Sequence, residues 1–547
     1  MESCLPIREK ALFGKIEREK EMSRLNTSRR NFLRGLAGAS AFAIGGCRCP
    51  FGQQKIRLAA VGIMGKGFTD WTPMLRSGLV EMVAFCDCDA TMREKAQREL
   101  AVEGINFDMY SVPFYTDYRR LLDDAGVLGI DAMTVSTTDH VHAPVAIGAM
   151  KQGIHVYVQK PLVRTLWELD YFNRTARENG VVVQMGNQGS SFNSMRRCTE
   201  IIQSGILGDV REVHVWTNRA VWPQGQGVAD WVKGHPKGDP IRSGLNWDAW
   251  LATAAKRPFL DQYPEDAKVY DPWKLGKNVY HTFTWRGFHD FGAGAFGDMA
   301  CHTMNLPFRG LELAGVCDAE CVRIEGKNDV AYPSKSIVKL TYKARESKIR
   351  PGVKLPAVTL FWYDGYDESR PNRSAMKPSE EIMPKVIKTF GAIPNTGCYI
   401  MGSKGAVLMR DDCGGKCMIA LDGDEKFVNV FSHEAAKAVP RSIPFCIDQS
   451  LPAGSDELML EGPVNADGHY TEFLHAIRGE GNYYEQTHSR CFSDIEYCIP
   501  QMEGILVGCV AQRVEGRLVW DAASQSFAGN AAANALVRPY IRKGWEF

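Results

Sequence analysis

Neither sign of charge dominates this chain: 65 lysines and arginines face 64 aspartates and glutamates, for a formal net charge of +1. A nucleic-acid partner wants a basic surplus gathered into a stripe, so that class is excluded. No apolar run reaches the ~18 residues of a membrane-spanning helix. Internal repeats and low-complexity tracts are absent as well. The 16 cysteines are scattered through strand-like and helix-like text, whereas disulfide frameworks belong to small domains without a core. Cys413 and Cys417 have no second metal-type pair nearby and read as two unrelated loop thiols, with pairing or metal binding as the rival reading; no metal site is expected. What is present is globular composition over 547 residues, more than the ~250–300 one core sustains, so two domains are expected.

Residues Ser28-Arg29-Arg30-Asn31-Phe32-Leu33-Arg34 precede a Gly/Ala-rich stretch from Gly35 to Cys47 that carries no charge. Twin arginines before an apolar stretch of about a dozen residues read as a Tat export leader over residues 1–49, not a membrane span. Ile44-Gly45-Gly46-Cys47 also resembles a lipobox, which would anchor Cys47 to lipid. Met22 lies at a more usual distance from the arginines than Met1, and is the alternative start. The expected location is the periplasm or cell envelope. Tat export carries folded proteins, so a cofactor bound inside the cell can leave with the chain.

Lys55 to Gly62 is an apolar run ending in glycine, the mark of a buried parallel strand. Gly62-Ile63-Met64-Gly65-Lys66-Gly67 follows, with a helical pattern from near Thr69. The dinucleotide fingerprint wants glycines for a tight turn, for pyrophosphate approach and for helix packing. Gly62 and Gly67 fill the first and third places; Met64 takes the second, with Gly65 beside it. A second strand, Val80 to Cys86, ends on Asp87. A carboxylate there accepts from adenosine ribose hydroxyls and repels a 2′-phosphate, and Cys88 offers no arginine in its place, so NAD is expected over NADP.

Further on, Gly129-Ile130-Asp131-Ala132-Met133-Thr134-Val135-Ser136-Thr137-Thr138-Asp139-His140-Val141-His142 and Gly153-Ile154-His155-Val156-Tyr157-Val158-Gln159-Lys160-Pro161 flank a helix expected from Val145 to Gln152, and Val182 to Gln188 closes the sheet. These segments resemble the Gfo/Idh/MocA superfamily of glucose–fructose oxidoreductase and inositol dehydrogenase, strongest at 129–188 and 285–307. The resemblance implies a Rossmann domain (50–190) followed by an α+β domain (191–547) with a large, open, mostly antiparallel sheet. It implies NAD held by Gly62, Met64, Gly65, Lys66, Gly67, Asp87, Ser136, Thr137, His140, His142, Gln159, Lys160 and Gln188. It also implies a homo-oligomer associated through the second domain's sheet. One departure stands out. Gln159 replaces the family's glutamate, which leaves Lys160 without an adjacent counter-ion and is expected to lower its pKa.

Trp285 to His302 is the most informative stretch of the second half. Gly292, Gly294 and Gly297 predict a flexible loop, with a helix from Asp298 that sets Asp298 and His302 four apart on one face. A histidine beside a carboxylate suits sugar oxidation, which needs a group of pKa near 7 to take the hydroxyl proton. In the resembled superfamily this pair serves as substrate ligand and acid/base, and Lys160 polarises the hydroxyl. A metal reading of the pair would need His289 or His140 as a third ligand. Residues 216–290 are rich in aromatics and are expected to line the substrate cleft, with Trp222, Tyr280, His281, Trp285 and His289 as sugar ligands and Tyr270 and Trp273 nearby. Downstream, strands are expected at Val338–Tyr342 and Ala357–Tyr363, a hairpin over 399–409, an excursion loop over 366–394 and a helix over 496–513.

The expected activity is an NAD-dependent oxidoreductase acting on a sugar or glycoside. Two alternatives stand beside it. One is a glycosidase that uses NAD in a redox-neutral cycle, which would need a second base, with Tyr280, His281 and His289 as candidates. The other is an exported sugar-binding protein without catalysis.

Overall fold

The computed structural model describes residues 54–265, 267, 269, 278–366, 374–445, 466–480 and 491–547. The leader, Cys47, Tyr270 and Trp273 lie outside the described residues.

Six short apolar segments form a parallel sheet: β1 (Ile56–Val61), β2 (Val80–Cys86), β3 (Phe114–Tyr115), β4 (Ala132–Val135), β5 (His155–Val158) and β6 (Val183–Met185), in the order β3-β2-β1-β4-β5-β6. Buried on both faces, its central strands have no polar alternation: Ile56, Leu58, Ala59 and Ala60 of β1 are fully enclosed. The chain reverses direction across the sheet between β1 and β4, where open α/β sheets place ligands at the carboxyl ends of their strands. Helix α1 (Phe68–Arg76) follows the glycine loop, and α2 (Asp139–Met150) follows β4. The second helix starts six residues before the expected Val145. His140 and His142 therefore stand in its first turns, not in a loop.

The second sheet is built from β7 (Val210–Trp216), β8 (Val316–Glu325), β9 (Lys335–Tyr342), β12 (Val358–Gly365), β13 (Gly397–Gly402), β14 (Gly405–Met409), β15 (Cys417–Leu421), β16 (Val428–Asn429), β17 (Arg517–Asp521) and β18 (Ser526–Phe527); β10 (Arg345–Glu346) and β11 (Lys354–Leu355) form a separate ribbon. Its order is β16-β15-β14-β13-β7-β12-β9-β8-β17-β18. Only the β7–β12 pairing is parallel. The fold is thus α/β, a parallel nucleotide-type sheet followed by a mixed, mostly antiparallel one.

On one face of the large sheet, α3 (Gly294–Thr303) packs against α5 (Ile495–Ala511), and Phe296 of α3 stacks on Trp362 of β12 with ring centroids 4.6 Å apart. Any Cβ at position 508 would lie 2.1 Å from the Phe296 ring, so Gly508 is what lets these helices close. The other face buries Trp216, Leu408, Met383 and Val386. The last two belong to the supposed excursion loop, which contains a helix, Pro384–Phe390. Helix α3 also starts four residues before the expected Asp298. Gly294 and Gly297 lie inside it, and the Asp139 carboxylate accepts from the N–H of Ala293 at its start (3.0 Å), replacing a local cap with one from α2.

Candidate functional site

A cavity of about 670 Å³ opens along the carboxyl ends of the parallel strands. Its wall carries Gly62, Met64, Gly65 and Lys66 from the loop after β1, Asp87 at the end of β2, Ser136, Thr137 and Asp139 after β4, Gln159 and Lys160 after β5, and Gln188. The other side is supplied by Ala249, Trp250, His281, Thr282, Phe283, Trp285, Arg286 and His302.

The glycine loop fits a dinucleotide. Gly62 has φ +77°, and a Cβ there would meet the Ser136 carbonyl oxygen at 2.4 Å. A Cβ on Gly67 would lie 1.9 Å from the Gly62 carbonyl oxygen, so that glycine serves helix packing and is not on the cavity wall. Gly65 faces open space. The Asp87 carboxylate accepts from the N–H of Ile63 (3.1 Å) and of Asp89 (3.0 Å), and burial pushes its pKa up. Gln188 keeps a buried Oε1 without a protein partner, an acceptor left for a ligand.

Beneath the loops sits Asp70, in the first turn of α1 and fully buried. Its carboxylate pairs with Lys66 (2.8 Å) and accepts from Ser136 Oγ (2.7 Å), Tyr470 Oη (3.0 Å) and Gln159 Nε2 (2.9 and 3.1 Å to its two oxygens). Tyr470 belongs to α4 (Ala466–Arg478). One carboxylate thus fastens the loops after β1, β4 and β5 together. It also accounts for Gln159: with Asp70 in place, that position has to donate. Asp70 was not foreseen. Its signal was faint, a charge four residues after Lys66 at the start of the helix.

At the other end of the cavity Lys160 Nζ lies 2.6 Å from Asp298 Oδ1, and Arg286 Nε lies 3.3 Å from the same oxygen. The expectation that Lys160 lacks a counter-ion is therefore corrected: α3 supplies one from the second half of the chain. Burial works to raise the Asp298 carboxyl, but Lys160 and Arg286 outweigh it and hold its pKa well below the carboxylate range. Arg286 is itself sandwiched, its guanidinium carbon 4.2 Å from the Phe283 ring centre and 4.3 Å from that of Trp285.

His302 shares the helix with Asp298 and lines the cavity, with Nδ1 buried and unpartnered. Its pKa does not sit near 7. Burial, reinforced by Lys160, pushes it down to about 3, so the ring is neutral. The group poised near neutrality is Asp139, whose carboxyl is pushed up to about 7 by burial, with Arg286 pulling it back and Asp298 pushing it further up. Asp139 stands within the motif that carried the family resemblance, yet nothing in the motif marked it as titratable.

Other expected ligands stand elsewhere. His142 stands behind both ligand loops, with Nδ1 2.8 Å from the Pro161 carbonyl and Nε2 3.2 Å from that of Thr137, and its one N–H serves one of them. His140 is enclosed, with Nε2 3.1 Å from the Trp250 carbonyl. Tyr280 packs among Trp247, Phe288 and Phe291. Trp222 donates to Gln224 (3.0 Å), and His289 lies edge-on to Tyr332. None of these five lines the cavity. Trp285 does, and so does His281, but at its Asp87 end, with Nε2 3.4 Å from Asp89 Oδ2. Cys413 and Cys417 are free thiols.

Residues 56–187 match the family model described as "Oxidoreductase family, NAD-binding Rossmann fold", of the Gfo/Idh/MocA group. A 2,7-anhydro-N-acetylneuraminate hydratase of Mediterraneibacter gnavus is 28% identical over 104 residues, 19% of this chain and 27% of the relative. Glycosyl hydrolase family 109 protein 2 of Akkermansia muciniphila is 28% identical over 160 residues, 28% of this chain and 32% of the relative. The chain thus aligns with less than a third of the length of either. An inositol dehydrogenase homolog from Azotobacter vinelandii, solved with NAD+, superposes with a TM-score of 0.53 at 17% identity, covering 88% of this chain and 100% of that one. That likeness establishes the fold.

Proposed function

We propose that this chain, whose residues 56–187 belong to the Gfo/Idh/MocA oxidoreductase family with its NAD-binding Rossmann fold, moves hydride between NAD and a hydroxyl-bearing carbon of a sugar or glycoside. The observation that carries the reading is that Lys160 and His302 line the cavity that the glycine loop enters, with Asp298, on the same helix as His302, paired to Lys160. NAD supplies the hydride acceptor. Asp298 stays ionised and fixes Lys160, whose ammonium would donate to the substrate hydroxyl oxygen. Neutral His302, with Nδ1 unpartnered, takes the hydroxyl proton as hydride leaves. Trp285 and Phe283, whose rings flank Arg286, line the cavity where a sugar ring would sit.

A second reading is the redox-neutral glycosidase: oxidation at C3, loss of the now acidic C2 proton, departure of the aglycone, addition of water and return of the hydride. Asp139 favours it, because a carboxyl of pKa about 7 on the cavity wall supplies the second acid/base that Tyr280 and His289, off the wall, do not. We read residues 1–49 as the export leader, ahead of domains spanning 50–190 and 191–547. Outside the cell no nicotinamide pool re-oxidises the cofactor, which also favours a closed cycle.

The test is to purify the protein, release bound nucleotide with acid, and assay nitrophenyl glycosides without added cofactor. Aglycone release without accumulation of NADH supports the glycosidase. Stoichiometric NADH with intact glycoside refutes it and supports net oxidation. Failure to bind NAD overturns both, and an unchanged glycan panel for His302→Ala points to a binding protein.

A further inference from the structure

The insert of the second half had been expected to face substrate, yet part of it is fastened to the opposite end of the cavity. The N–H of Ala90 donates to the Gly244 carbonyl (2.9 Å), and that of Asn246 to the Cys88 carbonyl (2.7 Å). Asp89 and Leu245 form an isolated antiparallel bridge. The Asn246 side chain reaches the Thr116 carbonyl (3.4 Å) and caps the short helix Trp247–Leu251 through the N–H of Ala249 (3.1 Å). Each of these Rossmann partners lies just past the end of β2 or β3, where the nucleotide sheet presents Asp87.

The same segment is held from behind. Arg542 donates to the carbonyls of Asp248 (2.8 Å) and Ala252 (3.0 Å) and pairs with the Asp248 carboxylate. His140 holds the Trp250 carbonyl, and Trp250 packs edge-on against Phe291. His281 is buried yet on the cavity wall with Asp87, and its Nε2 lies 3.4 Å from the Asp89 carboxylate that the strap bridges. Burial acts to raise the Asp89 carboxyl, but His281 and Thr91 outweigh it and bring it to about 2.

We propose that His281 is a cofactor ligand and not a sugar ligand, and that the strap formed by residues 244–254 with His281 encloses the adenosine ribose of NAD against Asp87 so that the nucleotide is retained between turnovers. The inference rests on the NAD reading above. It assigns the two ends of the cavity different tasks: Lys160, Asp298 and His302 act on substrate, and the strap keeps the cofactor in place. A ribose held between the Asp87 carboxylate and the His281 imidazole would be released more slowly while the strap bonds such as Asn246 N–H to the Cys88 carbonyl stay closed.

The test uses the full chain. Protein loaded with NADH is passed through gel filtration, and release is followed by loss of nicotinamide fluorescence during a chase with excess NAD. Wild type is expected to keep NADH through the column. His281→Ala and His281→Phe, the second of which keeps a ring of similar bulk, are expected to release it about tenfold faster, the ratio for one lost hydrogen-bonding partner, while the apoprotein still melts cooperatively, somewhat lower for loss of the Asp89 contact. Release from both variants at the wild-type rate overturns the inference, as does free exchange from wild type. A wild type that binds no NADH overturns the NAD reading itself.

Discussion

Replacing Gln159 with glutamate, the residue that the resembled family carries there, is expected to destabilise this chain. Gln159 is 4% exposed and Asp70 fully buried, and the amide donates to both carboxylate oxygens at 2.9 and 3.1 Å. A glutamate would press a second carboxylate into that contact, and two carboxyls that close do not both ionise. One proton must be taken up on folding. For a side chain of unfolded pKa about 4.3, holding a proton at pH 7 costs ~1.36 kcal/mol per unit, or ~4 kcal/mol in all. Since the folded pKa is raised, the loss is present above pH ~4.3 and vanishes below it, where the protonated acid donates as the amide did. Urea denaturation at pH 4.5 and 7.5 measures it. Asp70→Asn combined with Gln159→Glu moves the charge across the contact and should recover part of the loss, at the expense of the Lys66 pair. Equal stability of Gln159→Glu and wild type at pH 7.5, or a double variant no better than the sum of the singles, would refute the role assigned to Asp70.

Asp139→Asn keeps an acceptor for the Ala293 N–H but removes the charge. With the folded pKa at about 7 and the unfolded value near 3.8, wild-type stability contains a part that falls as pH rises through that window, so the variant's advantage in thermal melts should grow from near zero at pH 4 to at most ~4 kcal/mol above pH 7; a pH-independent difference would count against it. Gly62→Ala is expected to abolish NAD binding in a calorimetric titration, because its Cβ would overlap the Ser136 carbonyl. Lys160→Met should remove hydride transfer from bound substrate and leave NAD retention within a few fold; loss of both together would contradict the division of the cavity. The same variant leaves Asp298 with Arg286 as its remaining partner, and ~1.5–3 kcal/mol of stability, the worth of one hydrogen bond to a charged group, should go with it.

The periodic parts of the fold were legible, and so were the residues whose chemistry depends on local order. Strands β1, β2, β12 and the β13–β14 hairpin stand within a few residues of their expected limits because apolar runs and turn residues specify them locally. Asp298 and His302 share a helix face because four-residue spacing fixes that. What could not be read were relations between distant segments. Asp139 and Ala293 are 154 positions apart, Asp70 and Tyr470 are 400 apart, and no local pattern records either contact. Aromatic residues misled for a related reason. Tyr280 and Trp222 carry polar edges suited to sugar, but those faces are consumed by Trp247, Phe288 and Phe283. The same composition serves a binding wall and a packed core, and only burial separates them.

Two carboxyls, one on the cavity wall and one just behind it, act on the same lysine, and their surroundings drive their acidities apart. Asp298, between Lys160 and Arg286, is ionised throughout the accessible range and orients a cation. Asp139, enclosed at the start of α2 with Arg286 and Asp298 acting on it in opposite directions, can hold or release a proton near neutral pH. A simple dehydrogenase step uses one proton acceptor, and the unpartnered Nδ1 of neutral His302 offers one, as a weak base. Elimination and rehydration around an oxidised carbon require a group that gives a proton in one half of the cycle and takes one in the other, at the same pH. On the cavity wall Asp139 has its midpoint near neutrality, whereas His302 titrates near 3. The chemistry available to this site is therefore broader than hydride transfer, and the pH dependence of Asp139→Asn on a nitrophenyl glycoside separates the two readings even where the identity of the natural sugar does not.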